Sequence, residues 1–495
     1  MTGSRSRRVA VIDIGSNSVR LVIYSVWRAS ALPIFNEKVM AGLGRGLSLT
    51  GQLSQDGREA ALAALQRYRA ILDALEVGEV RAVATAAVRV ASDGADFARE
   101  AALAAGVPLT ILSGRDEGRL SAEGVAAGIY RPTGLVGDIG GSSLELHPVG
   151  ERILTPGESH MLGPLSLAEF DKAGGRKIRQ YVENVLDSSE AIRFGAEKFY
   201  AVGGAWRALA KLKMARDDYP LRVLNAYRMS AKHVSELTEF VLSARTSKSA
   251  SQEISRAAGR RASQLHLTAA VLDTIVRLAG VQEVIISSGG LREGVVRDMI
   301  NGEEGAPLID GVIAFAKLND AQVAFGQALC DFVEPVFEGS KPLFGSPQED
   351  RRIRLAACLL ADSASRFHPD NRDDMAYEQA LRGPYSGLDH SQRAYIAEAI
   401  GNRYARAFRV PADVKALSSK SASASARRLG LSMRLGAVFS ARSAPLLQRA
   451  RLSVTREKLQ FRLPRADEPL VSETVRRRLS QLADNLERDA EVVFE

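Results

Sequence analysis

The sequence predicts a duplicated α/β fold followed by a mostly helical C-terminal region, and three observations predict it. A strand–turn–strand motif occurs twice, about 125 residues apart. Strand patterns alternate with helical ones across the first three hundred or so residues, the mark of mixed sheets covered by helices. From about Ala306 the alternation gives way to helical periodicity. At 495 residues the chain is too long for one ordinary domain. The boundaries fall at 1–130, 131–305 and 306–495.

The repeated motif is the most informative element. Residues 9–21 read VAVIDIGSNSVRL and residues 135–146 read LVGDIGGSSLEL. Aligned, they share Asp13/Asp138, Ile14/Ile139, Gly15/Gly140, Ser18/Ser143 and Leu21/Leu146. In each, an apolar strand runs into Asp, a Gly/Ser turn follows, and a second alternating strand leaves. Gly15, Gly140 and Gly141 are expected to allow positive φ and close approach to a ligand. Backbone N–H groups, with the hydroxyls of Ser16, Ser18, Ser142 and Ser143, then form a concave donor set suited to phosphate oxygens. Two facing hairpins would grip a phosphate chain from both sides, with Asp13 and Asp138 pointing into the cleft to hold a metal or a water. The copies differ in charge where the first has Arg20 and the second Glu145. Ser143 and Glu145 share a strand face.

Further elements follow in order. Residues 56–75 form a helix with Leu62, Leu65, Leu72 and Leu75 on one apolar face, and 265–279 repeat the pattern with Leu267, Val271, Thr274 and Leu278. VRAVATAAVRV at 80–90 reads as a strand, a turn and a helix start carrying Thr85 and Arg89. ILSGRDEGRL at 111–120 reads the same way, with Asp116 and Glu117 at the helix N-terminus, where its dipole favours acids. Gly203-Gly204 and Gly289-Gly290 each sit in a tight strand-to-helix turn.

Composition excludes several classes. No apolar run approaches the ~18 residues of a membrane span. The apolar stretch Val9–Ile14 is too short for the core of a signal peptide, so a cytoplasmic protein is expected. Cys330 and Cys358 are the only cysteines, which rules out a disulfide framework and gives no zinc spacing. The six histidines form no pair at ligand spacing. The net charge of +8 is concentrated beyond Arg403, where basic residues exceed acidic ones by about nine. Arg427, Arg428, Arg434, Arg442, Arg449 and Arg451 recur there, a lane suited to a long polyanion. The Ser/Ala stretch at 417–428 is expected to be a mobile loop.

Together these motifs resemble the exopolyphosphatase and guanosine pentaphosphate phosphatase family, long form, within the actin and sugar-kinase superfamily. The resemblance is specific from Val9 to about Ile300 and less distinct beyond. It implies duplicated actin-like (RNase H-like) lobes and a C-terminal region related to HD phosphohydrolases. There Ala361-Asp362 stands where an active HD domain would have His-Asp, so a bimetal HD site is not expected; His368 and His390 read as surface or capping residues. The resemblance makes Glu117 the catalytic base and assigns Arg89 to substrate phosphate, with Gly15, Ser16, Asn17, Ser18, Gly140, Gly141, Ser142 and Ser143. It gives Asp138 and Glu145, with Asp13 beside them, to a divalent metal, for which oxygen donors favour Mg²⁺; a monovalent cation is a further ion compatible with such a family. The implied reaction is removal of terminal orthophosphate from inorganic polyphosphate, or of the 5′-γ-phosphate from guanosine pentaphosphate. Neither a membrane nor a specific nucleic acid is an implied partner, and a homodimer is compatible with the family. A superfamily kinase must exclude water, which Glu117 argues against; intact acids at 117, 138 and 145 argue against a non-catalytic sensor.

Overall fold

The computed structural model describes residues 7–150, 156–170, 174–244, 247–300, 306–365, 367–405 and 407–495. The basic N-terminal tail before Arg7 lies outside the described residues. The chain divides into two compact units, Met1–Gly305 and Ala306–Glu495.

The first unit holds two sheets built to one plan. In the first, β1 (Arg7–Ile14), β2 (Val19–Trp27), β3 (Ser30–Val39), β4 (Glu79–Ala84) and β5 (Leu109–Ile111) lie in the order β3-β2-β1-β4-β5. The second contains β6 (Gly134–Ile139), β7 (Leu144–Val149), β8 (Glu158–His160), β9 (Lys198–Val202), β10 (Arg228–Ser230) and β11 (Glu283–Ile286), ordered β10-β11-β9-β6-β7-β8. Read from its other edge this is β8-β7-β6-β9-β11, the same order with β10 added. These are the two related lobes that the repeated motif predicts. Register repeats too: Asp13 lies opposite Arg20 across β1–β2, and Asp138 opposite Glu145 across β6–β7.

The period of two explains how β1 is covered. Ala10, Ile12 and Ile14 belong to one core with Ala61, Leu65 and Tyr68 of helix Gln55–Ala74. Val9 and Val11 belong to another with Leu291, Val295 and Val296 of helix Leu291–Met299. That last helix follows β11 in sequence yet packs on the first sheet, so the lobes are not contiguous halves divided at 130. Helix Gln55–Ala74 starts at Ser54, whose Oγ accepts from the Gly57 N–H. Leu65 and Leu72 of its predicted face are buried, but Leu62 is half-buried and Leu75, past the helix end, is exposed. Helix Leu265–Leu278 is buried on nearly all sides, including Leu267, Val271 and Thr274, with Leu278 exposed at its end. Trp206 Nε1 donates to its Thr268 carbonyl at 2.9 Å.

The second unit is mostly helical, with one sheet that the sequence reading missed. Strands β12 (Arg451–Val454), β13 (Lys458–Leu463) and β14 (Asp489–Phe494) lie side by side, and Leu459, Phe461 and Leu463 point inward at alternate positions. The expected loop at 417–428 is instead the start of helix Lys420–Phe439. Ser419 caps it by accepting from the Ala422 N–H, alanine is the best helix former, and Ala422, Ala426 and Leu429 bury one face. The expected basic lane is broken by ion pairs: Arg442 with Asp362, Arg449 with Asp467 and Arg451 with Glu495. Asp362, beside Ala361, is thereby held by an arginine. His368 accepts from the Asp370 N–H at 3.3 Å in a short turn, and His390 is buried at a helix start. Cys330 and Cys358 are distant in sequence but are buried neighbours here.

Candidate active site

The two hairpin tips are built by matching hydrogen bonds. Gly15 N–H donates to the Ser18 carbonyl at 3.0 Å, and Gly140 N–H to the Ser143 carbonyl at 2.9 Å. A following loop props each tip. Gly42 and Gly44 N–H groups donate to the Asn17 and Ser16 carbonyls, as those of Gly163 and Leu165 do to Ser142 and Gly141. The tips meet where Ser142 Oγ donates to Ser16 Oγ at 3.1 Å. None of Gly15, Gly140 and Gly141 has positive φ, so that expectation fails. Gly141 serves close approach instead: a Cβ there would lie 3.1 Å from Ser16 Cβ.

Between the tips lies a cleft of ≈ 460 Å³. Gly15, Ser16, Asn17, Ser18, Gly140 and Gly141 line it, together with Thr85, Asp13, Glu117 and Asp138. Ser142 and Ser143 are not part of its wall. Ser142 is spent on Ser16, and Ser143 is hydrogen-bonded to Glu145.

Helix Gly114–Gly128 aims the acid. Ser113 caps it, accepting from the Asp116 N–H at 3.1 Å and donating to the Asp116 carboxylate at 2.6 Å. Asp116 is exposed and Arg119 pairs with Asp298 at 3.5 Å. Glu117 turns inward and is only 7 % exposed. Gly118, next in the chain, faces β7, where a Cβ would lie at ordinary contact distance, 3.6 Å, from Glu145 Cβ. Arg89 Nη1 donates to Glu117 Oε2 at 3.0 Å and to the Leu112 carbonyl at 2.8 Å. Arg89 is not among the residues that line the cleft, and its carboxylate partner here is Glu117, which does line it. Burial pushes the Glu117 carboxyl up to about 7; Arg89 opposes the shift, while Asp138 and Asp13 add to it.

One helical turn beyond Glu117, Ser121 Oγ donates to Asp138 Oδ2. Burial also raises the Asp138 carboxyl. Glu145 is buried behind it, accepting from Ser159 Oγ at 2.9 Å, and is raised well above the carboxylate range by burial and then by Glu117. Asp13 is held by Arg292 Nη1 at 2.8 Å. Among the described residues no three His, Cys, Asp or Glu side chains converge to hold a metal. The three predicted metal acids therefore form no closed cage. Asp138 in the cleft wall, with Glu145 opposite it in register, still offers the few oxygen donors that suit Mg²⁺, which keeps waters and shares phosphate oxygens.

Sequence reasoning missed the cationic side of the cleft. Arg20, Lys38, Arg207, Arg260, Arg261 and Arg292 all line it. Burial lowers the Lys38 ammonium to about 8, with Arg261, Arg20 and Arg292 adding repulsion. A signal for two of them was present: each glycine pair is followed within a helical turn by an arginine, Arg207 after Gly203-Gly204 and Arg292 after Gly289-Gly290. The cleft adjoins a hollow of ≈ 330 Å³ that shares Arg20, Arg207, Arg261 and Arg292 and reaches Tyr24, Pro33 and Asn36. The dominant chemistry is that of a polyanion site with one desolvated acid cluster.

Comparison with known proteins agrees with this chemistry. Residues 7–303, more than half of the chain, match the Ppx/GppA phosphatase family, and residues 326–493 match the family described as exopolyphosphatase, C-terminal. An exopolyphosphatase from Cytophaga hutchinsonii is similar in fold, at 23% identity and TM-score 0.52 over 60% of this chain and 99% of that one. The Aquifex aeolicus member of the Ppx/GppA family is similar at 25% identity and TM-score 0.52, over 61% of this chain and 99% of its own. No helix among the described residues is long and apolar enough to cross a membrane. The chain therefore belongs to the Ppx/GppA phosphatase family, as a hydrolase of phosphoanhydride bonds.

Proposed function

We propose that the chain is an exopolyphosphatase, releasing terminal orthophosphate from inorganic polyphosphate in the cleft between the two hairpin tips. The observation that carries this is a buried Glu117 with a carboxyl at about 7, facing a cleft lined by six cationic side chains. The N–H groups of both tips cradle the terminal phosphoryl group, and Arg20, Arg207 and Arg292 offset the charge of the chain behind it. Glu117 accepts the proton of a water as the water's oxygen bonds to the terminal phosphorus. The bridging P–O bond breaks, and its electron pair leaves with the shortened chain. Arg89 is a positioning residue that fixes the Glu117 carboxylate. Asp138 and Glu145 are the residues that would hold Mg²⁺, which when bound screens the phosphate oxygens. Most of the rate then comes from placement and electrostatics.

A second reading, the 5′-γ-phosphate of guanosine pentaphosphate, is favoured by the adjoining hollow at Tyr24, Pro33 and Asn36, which has room for part of a nucleoside. Purified protein assayed with long polyphosphate, guanosine pentaphosphate and ATP, each with and without Mg²⁺, separates the readings. Release fastest from long polyphosphate and dependent on Mg²⁺ is expected. A rate confined to guanosine pentaphosphate would select the second reading, and release undiminished by chelation would remove the metal.

A further inference from the structure

The C-terminal unit contains its own cavity of ≈ 760 Å³, larger than the catalytic cleft and formed entirely by residues beyond 336. Its volume is in the range of small-molecule sites, about 300–1,000 Å³. Two kinds of surface meet in it. Phe337, Pro342, Phe344 and Pro347 give one apolar, ring-faced wall. Phe344 is fixed edge-on against Tyr395, with ring centroids 5.3 Å apart. The opposite wall is one face of helix Lys420–Phe439, where Ser421, Ser425 and Arg428 recur at helical spacing.

The charges in the cavity are unevenly satisfied. Arg354, 7 % exposed, is bound at both ends of its fork by Glu334, at 2.9 and 2.8 Å. Asp350 is spent on the loop, accepting from the N–H groups of Leu343 and Phe344, each at 2.9 Å. Arg428 has no such partner. Its Nε is buried without an acceptor, and no carboxylate among the described residues pairs with its guanidinium. Lys341, exposed at the rim, is also without an ion pair among the described residues. A buried guanidinium N–H without an acceptor is costly, and an anion entering the cavity would supply one. Ser419 and Ser421, at the start of the same helix, add hydroxyls beside its positive dipole end. The Ala361-Asp362 position lies past the far end of helix Pro347–Leu360, about 20 Å of helix from Pro347, so this cavity is not the remnant of an HD centre.

We propose that this cavity is a nucleotide-binding site, with Arg428 and Lys341 on the phosphates, the serines on the sugar hydroxyls and the base against Phe344 and the prolines. Equilibrium dialysis of the full chain with a non-hydrolysable ATP analogue tests it. Two sites per chain are expected. Arg207→Glu with Arg261→Glu removes the one in the catalytic cleft, and Lys341→Glu with Arg428→Glu weakens the other at least tenfold while phosphate release from tripolyphosphate continues. Hydrogen exchange on the unaltered chain gives a second readout, with protection at 337–347 and 419–428 when the analogue is added. One site per chain, abolished by the cleft pair and indifferent to the cavity pair, would overturn the proposal. So would a second site that takes tripolyphosphate as tightly as the analogue, since the apolar wall would then be idle.

Discussion

The two hairpin tips share a backbone and differ in chemistry. In the first, Asp13 faces Arg20 across the strands and is held by Arg292 at 2.8 Å. In the second, Asp138 faces Glu145, and both carboxyls are raised by burial, with Glu117 raised beside them. Duplication thus supplied two phosphate-sized tips, and divergence left the aspartate of the first between arginines and that of the second among desolvated acids. A polyanion needs the first and the activation of water needs the second. Catalysis follows from the difference between the copies more than from their likeness.

The largest effect is expected on the acidic side. Glu117→Gln keeps the shape and an acceptor for Arg89 but removes the proton acceptor, so kcat should fall about 10²- to 10⁴-fold with KM little changed. Steady-state phosphate release checks this; an unaltered kcat would strip Glu117 of its role. On the cationic side, Arg292→Ala removes a charge from the cleft and leaves Asp13 without its partner. A charge-assisted hydrogen bond contributes roughly 1.5–3 kcal/mol, so KM should rise about 10- to 100-fold, more than kcat falls. A purely catalytic loss there would contradict the division of labour.

The same contrast shows what the sequence could reveal. The repeated Asp-Ile-Gly with its serines is a local pattern, and it marks both tips and the replacement of Arg20 by Glu145. Glu117 was legible because its motif is also short and contiguous. Arg20, Lys38, Arg207, Arg260, Arg261 and Arg292 come from several elements and meet only in the folded unit, so apart from the glycine pairs before Arg207 and Arg292 no local spacing announces them. The Arg89–Glu117 contact was hidden for a related reason: the two residues lie 28 positions apart and on different helices. In the second unit the alternation Leu459, Phe461, Leu463 was visible but outweighed by the surrounding helical pattern. The Ser/Ala run reads as a mobile loop because its composition hides a cap and a buried face.

The raised acids also affect stability. Glu117 in the folded, metal-free chain holds a proton up to about pH 7, whereas the unfolded chain loses it near the ordinary carboxylate value. The folded state therefore binds more protons across that window, and its stability falls as pH rises from about 4.5 to 7. Below the unfolded value the contribution is absent. Glu117→Gln lacks this titration, so its melting temperature relative to the unaltered chain should climb through the same window and level off above it. Thermal melts from pH 4.5 to 8 in chelator measure this. A constant difference would mean that Glu117 is ionised throughout.

The smallest effect concerns the meeting point of the tips, where the copies also differ. Ser16 and Gly141 are equivalent positions that face each other across the cleft, and only one carries a Cβ. Placing a methyl on Gly141 brings it to 3.1 Å from Ser16 Cβ, tighter than ordinary contact, so the tips must part by a few tenths of an ångström. At Gly140 a methyl would meet the Ser143 carbonyl at 3.5 Å and its Oγ at 3.8 Å, both ordinary contacts, and nothing need move. Gly141→Ala should accordingly cost about 1 kcal/mol of stability and raise KM a few-fold, by lengthening the Ser142–Ser16 hydrogen bond that holds the tips together. Gly140→Ala should cost well under that and leave KM alone. Melting temperature and KM measured on the pair decide whether the junction is under steric control. Equal effects at both glycines would mean that the backbone freedom of each turn matters more than the distance between the tips.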